Sequence, residues 1–173
     1  MRLSIRAEQK FVVEAVAEEN FVRRLAAHLL NEYPKTVVIL PGDEKFTVDE
    51  LPGAALYELV GAGIARARSY DMTFESSISA FTAIMFEVCP NFDTHRLCQV
   101  LLNDEEVEPD NRIDEVLNVL TEKNWETIRA DYDPNAWKTE SETGDVNETE
   151  ERDDNKTNPD EPENLDFQET VKI

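Results

Sequence analysis

Apolar residues recur at three- and four-residue steps through most of the first 130 positions of this chain. That spacing gathers them on one side of a helix. Over residues 7–33 the apolar set is Phe11, Val12, Ala15, Val16, Val22, Leu25, Ala26, Leu29 and Leu30, and Pro34 ends the run. A second helix is predicted over 53–69, with Leu56, Leu59, Val60, Gly63, Ile64 and Ala67 on its buried side. Pro52 suits its first turn, where a missing N–H costs nothing. Gly61 and Gly63 inside this helix suggest either that another part of the chain passes close by or that they are simply tolerated.

A third helix is predicted over 74–89, capped by Thr73, with Ile78, Phe81, Ile84, Met85 and Val88 in phase. Phe74 and Phe86 widen its apolar surface, so this helix is expected at the centre of the core. A fourth helix is expected from Asp93 or Thr94 to Asn103, burying Leu97, Val100 and Leu101. A fifth opens at Pro109 and runs through Ile113, Val116, Leu117 and Leu120 to about Asp131, with Thr121 able to restart a turn. Tyr132 and Trp137 are expected to fold back as last anchors. Residues 37–40 form a β-prone run closed by Pro41 and Gly42. Without a partner strand it reads as extended backbone lying on the helices.

The expected architecture is all-α: one five-helix globular domain over residues 1–137, then a disordered acidic tail over 138–173. In the tail, Val146 is the one aliphatic residue between Trp137 and Leu165, too little apolar area to offset chain entropy. Leu165 and Phe167 read as solvated tail or as a short docking peptide.

Charge narrows the partners. The 173 residues carry 38 acids and 17 bases, a net of −21. The tail holds 13 acids and 4 bases, so residues 1–137 are acidic in their own right. Such a surface disfavours nucleic acid and anionic membranes and favours basic protein partners. No signal peptide or membrane-length apolar run is visible, so the expected compartment is the cytoplasm.

Candidate chemistry is sparse. Cys89, His95 and Cys98 match no standard zinc spacing, and buried thiols with a capping histidine explain them as well. His28 has no evident nucleophile or orienting carboxylate. No catalytic residue, cofactor or metal is expected, and the chain reads as a non-enzyme. Arg66 and Arg68 stand out as a basic spot at the end of the second helix. They read either as structural, pairing with Glu75 or Asp71, or as partner contacts. With Asn91, Phe92 and Asp93 they are the candidate partner-binding residues. Measured along an ideal helical hairpin, Arg66 and the 91–93 loop lie about 23 Å apart, so no direct Arg66–Asp93 pair is expected.

The run Gly63, Ile64, Ala65, Arg66, Ala67, Arg68, Ser69, Tyr70, with Phe81, Met85, Phe86, Pro90, Asn91, Phe92 and Asp93, resembles a family of small helical proteins. Members of that family are encoded beside bacterial type VI secretion genes for spike-tip proteins and toxic effectors. Residues 5–9, 25–33 and 112–114 also follow the pattern, and the similarity covers roughly residues 1–130. Cys89 and the acidic tail depart from it. The resemblance implies an accessory role: an adaptor or chaperone that holds an effector or spike protein in the cytoplasm. The alternatives are an immunity protein that blocks a cognate toxin, and an enzyme of unknown activity.

Overall fold

In the computed structural model, the backbone is described for residues 7–138 and the side chains for residues 15–138. The expected tail lies outside these residues, apart from Lys138. Helix α1 (Ala7–Glu32) buries Phe21, Leu25, Ala26 and Leu29. Its last turn closes when Tyr33 N–H donates to Leu29 O, just before Pro34. Val16 and Leu30 leave the expected apolar face and are exposed. For Val16 the reason is length. Helix α2 (Gly53–Arg68) has 16 residues against the 26 of α1, and its last residue pairs with Glu18. Residues of α1 before Glu18 therefore project past the end of α2.

The connector is not an unpaired strand. Strands β1 (Val37–Ile39) and β2 (Lys45–Thr47) form an antiparallel ribbon, with Val38 opposite Phe46. Gly42 at φ 95° and Asp43 at φ 63° turn the chain between them, and left-handed positions of this kind favour hairpins. The expectation of an all-α, five-helix domain is corrected accordingly. The described residues are mostly helical, with six α-helices and this small sheet.

Helix α3 (Glu75–Glu87) packs antiparallel on α2 and also touches α1, α5 (Arg112–Val119) and β1. Ile78, Phe81, Ile84, Met85 and Phe86 are buried, as is the whole predicted face of α2. Thr73 is not the cap of α3. The N-cap position is Phe74, whose ring has no polar atom to cap with, and the Asp110 carboxylate instead holds the chain entering the helix, accepting from Thr73 N–H and Phe74 N–H at 2.8 and 2.7 Å. Phe74, at the cap position, is exposed.

The two α2 glycines differ. A Cβ on Gly63 would lie 2.6 Å from Thr82 Cγ2, whereas one on Gly61 would meet nothing within 4 Å. Thr82 is fully buried and its hydroxyl donates to Ile78 O, so it has little room to yield. Gly61→Ala should stabilise by about 1 kcal/mol through helix propensity. Gly63→Ala should instead destabilise, because overpacking of about 1–3 kcal/mol outweighs that gain. Urea midpoints of the two variants check this, and equal shifts in one direction would refute it.

Past α3 come a 3-10 turn (Phe92–Thr94), α4 (Arg96–Leu102), a 3-10 turn (Pro109–Asn111), α5, α6 (Glu122–Ala130) and a last 3-10 turn (Pro134–Trp137). The expected fifth helix is thus two helices, broken at Leu120 and Thr121, where Thr121 and Asn124 bond to each other. In α4, Cys98 and Leu102 are buried while Leu97 and Val100 face out. Leu97 with Leu101, and Cys98 with Leu102, are both pairs at four-residue spacing. Periodicity in seven residues could not choose between them. Leu117 of α5 is likewise exposed.

Candidate functional site

After α3 the chain doubles back. Val88, Cys89 and Pro90 reverse it, and the Phe92 ring comes to lie 4.8 Å from that of Phe81, midway along α3. Phe81 in turn packs 5.7 Å from Tyr70. This return carries Asp93 to Arg66. The expected separation is overturned: Arg66 Nε donates to Asp93 Oδ2 at 2.7 Å, and Tyr70 OH donates to the same oxygen at 2.9 Å. The estimate of about 23 Å took the 91–93 loop to stay at the far end of the hairpin. In fact residues 88–93, four of them irregular and the last two opening a 3-10 turn, retrace part of α3, and a long arginine side chain covers the remainder.

Asp93 is 2% exposed and the Arg66 side chain 24%. Arg66 Nη1 also donates to Pro90 O and Ala136 O, each at 3.2 Å, joining α2 to the exit loop and to the last 3-10 turn. Asn91 clamps the same C-terminal segment. Its Nδ2 donates to Asp131 O at 2.8 Å, and its Oδ1 accepts from Asp133 N–H at 2.9 Å. Phe92 lies buried beneath. Arg66, Asn91, Phe92 and Asp93 therefore share one neighbourhood. Arg68 lies apart, its guanidinium forked onto Glu18 with two bonds of 2.7 Å. Neither arginine pairs with Glu75 or Asp71. Arg24 takes Glu75 instead.

Tyr70 and Ala136 belong to this neighbourhood, yet the sequence reading did not single them out. Tyr70 stood within the matching run, which was the available signal. Ala136 contributes only a backbone carbonyl, which no sequence pattern marks. Tyr132 and Trp137, expected as anchors, hold the segment down. Tyr132 OH donates to Ile39 O and accepts from Ile39 N–H and Trp137 Nε1, and the Trp137 ring packs 5.0 Å from Phe86.

Over the Arg66–Asp93 pair opens a cleft of about 670 Å³, lined by Ala62, Ala65, Arg66, Ser69, Tyr70, Asn91, Asp93, Thr94, Asp133, Ala136 and Lys138. Two polar groups of the Arg66–Asp93 pair are uncommitted among the described residues. Arg66 Nη2 has no hydrogen-bond partner. Asp93 Oδ1 is buried and also has none. An unsatisfied buried acceptor costs about 1–3 kcal/mol. Burial, and then the Asp93 charge and hydrogen bond, push the Tyr70 hydroxyl well above its usual range, so it remains a donor.

The thiols do not make a centre with His95. Cys89 Sγ donates to Ile128 O, and His95 Nδ1 accepts from Leu97 N–H at the start of α4. Among the described residues no three His, Cys, Asp or Glu side chains gather as metal ligands. Burial, with a contribution from Asp93, raises Cys89 to about 11 and Cys98 to about 12, from an ordinary 9.0. An unfolded chain would release both protons from pH 9 upward, while the folded chain keeps them. Stability should therefore be full below pH 9 and fall as pH rises toward 11 and 12. Tyr70 adds to the fall in the same direction. Urea midpoints across pH 8–11 should show the decline, with a shallower slope in Cys98→Ala. A flat profile would contradict it.

No described helix is long and apolar enough to cross a membrane. No protein-family model, curated protein or solved structure matches the chain.

Proposed function

We propose that this chain is a protein-binding accessory factor, an adaptor or chaperone that holds a type VI secretion effector or spike-tip protein in the cytoplasm. One observation carries the reading. Arg66, Tyr70 and Asp93 meet at the cleft with Phe92 buried beneath, all four within the residues that resemble the secretion-associated family. The cleft offers hydrogen bonds and charges of both signs, a chemistry suited to recognition. The net charge of −21 favours encounter with a basic partner.

The test places a benzophenone photo-crosslinker at Ser69, on the exposed rim, in cells carrying the neighbouring secretion genes. Crosslinking to the effector or spike-tip protein is expected, with none from the same group at Lys45. Deleting the chain should abolish secretion and leave toxicity intact. Rescue of cells that express the toxin alone would replace the adaptor with an immunity protein. Crosslinks to neither protein would overturn the reading.

A further inference from the structure

We propose that the cleft is the docking site of this chain's own residues 165–169, with the Phe167 ring against the alanine methyls and the carboxylate of Asp166 or Glu169 on the Arg66 guanidinium, so that a partner must displace them. The displacement rests on the protein-binding reading above, and the docking does not. Residues 165–169 lie outside the described part of the chain.

The described residues end at Lys138, which itself lines the cleft. Two residues earlier, Ala136 O accepts from Arg66 Nη1 at 3.2 Å. The chain therefore sets out from the wall of the cleft. Residues 139–164 can span anything up to about 90 Å, so length does not prevent residues 165–169 from returning. A tether also turns their encounter with the cleft into an intramolecular one.

Charge selects this occupant. The lining holds two cations, Arg66 and Lys138. Among the described residues Arg66 Nη2 has no hydrogen-bond partner and Lys138 pairs with no acid. Of the two acids in the lining, Asp93 is 2% exposed and already bonded to Arg66 and Tyr70, and Asp133 Oδ1 accepts from Asn135 N–H. The cleft thus suits a carboxylate. A carboxylate on another molecule must approach a chain of net charge −21, which slows the encounter, whereas the tether keeps one at hand. Ala62, Ala65 and Ala136 line the cleft with methyl groups, which suit an apolar neighbour of that carboxylate. Phe167 is the single aromatic residue after Trp137, and Asp166 and Glu169 flank it.

The test uses the full-length chain with benzophenone at Ser69, purified without a partner and irradiated at micromolar concentration as an equal mixture of unlabelled and isotope-labelled protein. A crosslink to the tryptic peptide 157–172 that joins like label to like is expected. Phe167→Asp and Ala65→Glu should each lower its yield about tenfold, through an unburied ring or through a carboxylate set against the docking one. Ala65 is exposed on α2, and Phe167→Asp alters no described residue, so it remains decisive even if Ala65→Glu disturbs the fold. Absence of that peptide, the same yield in Phe167→Asp, or an equal yield with the benzophenone at Lys45 overturns the docking. So does a crosslink that joins unlike labels, which would make a second copy the occupant. In cells, Phe167→Asp should raise the crosslink from Ser69 to the secretion protein, and an unchanged yield overturns the displacement. Crosslinking to the secretion protein without the tail peptide would leave the adaptor reading standing and remove this one. The tail peptide with no secretion-protein crosslink, even in Phe167→Asp, would do the reverse.

Discussion

Arg66→Glu is expected to lower folding stability by about 3–5 kcal/mol, the range for removing one partner of a buried ion pair. Asp93 is 2% exposed and would be left among apolar rings with a second carboxylate beside it. The same change removes the two bonds to Pro90 O and Ala136 O, which tie the exit loop and the last turn to α2. Arg68→Glu is the control. Its pair with Glu18 is half-exposed, so its loss should cost less than about 1 kcal/mol. Urea denaturation of both variants decides the matter. If Arg66 acts only as a partner contact, the two shifts will be equal and small, and the structural role assigned to Arg66 fails.

Trp137→Ala should cost a comparable amount, about 3–5 kcal/mol, as for other buried aromatic truncations. Trp137 is 5% exposed, packs on Phe86, and donates to Tyr132 OH at 3.3 Å. It also holds Ala136, whose carbonyl accepts from Arg66 and whose methyl lines the cleft. Trp137→Phe keeps the packing and loses one neutral hydrogen bond, so about 1 kcal/mol is expected. The two variants, followed by circular dichroism in urea, separate packing from hydrogen bonding. Equal losses would mean that the indole N–H, not the ring, anchors the segment.

Much of the helical framework was legible in advance. The buried face of α2 follows from its spacing residue by residue, and α3 is buried because its apolar positions wrap most of its circumference. The anchoring by Tyr132 and Trp137 was legible too, as aromatic residues at the end of the apolar pattern. Less of the site was. Arg66, Asn91, Phe92 and Asp93 were singled out, but as a surface for a partner and as two distant groups. Their contact depends on an irregular return path that ends in a single 3-10 turn, too short to show a periodicity.

The amino-acid pattern by itself determined where helices form and which side of the longer ones is apolar. Those properties depend on neighbours within one or two turns. Short elements were different. Seven residues of α4 allow two equivalent apolar faces, and packing against the rest of the fold buried Cys98 and Leu102. The entry to α3 is held by Asp110, a residue that only the closed chain brings near Thr73. Tertiary structure likewise decided that Asp93 would be buried against Arg66 and Tyr70. A charged side chain accepts burial only where donors from other segments converge on it, and convergence is a property of the folded path rather than of local order.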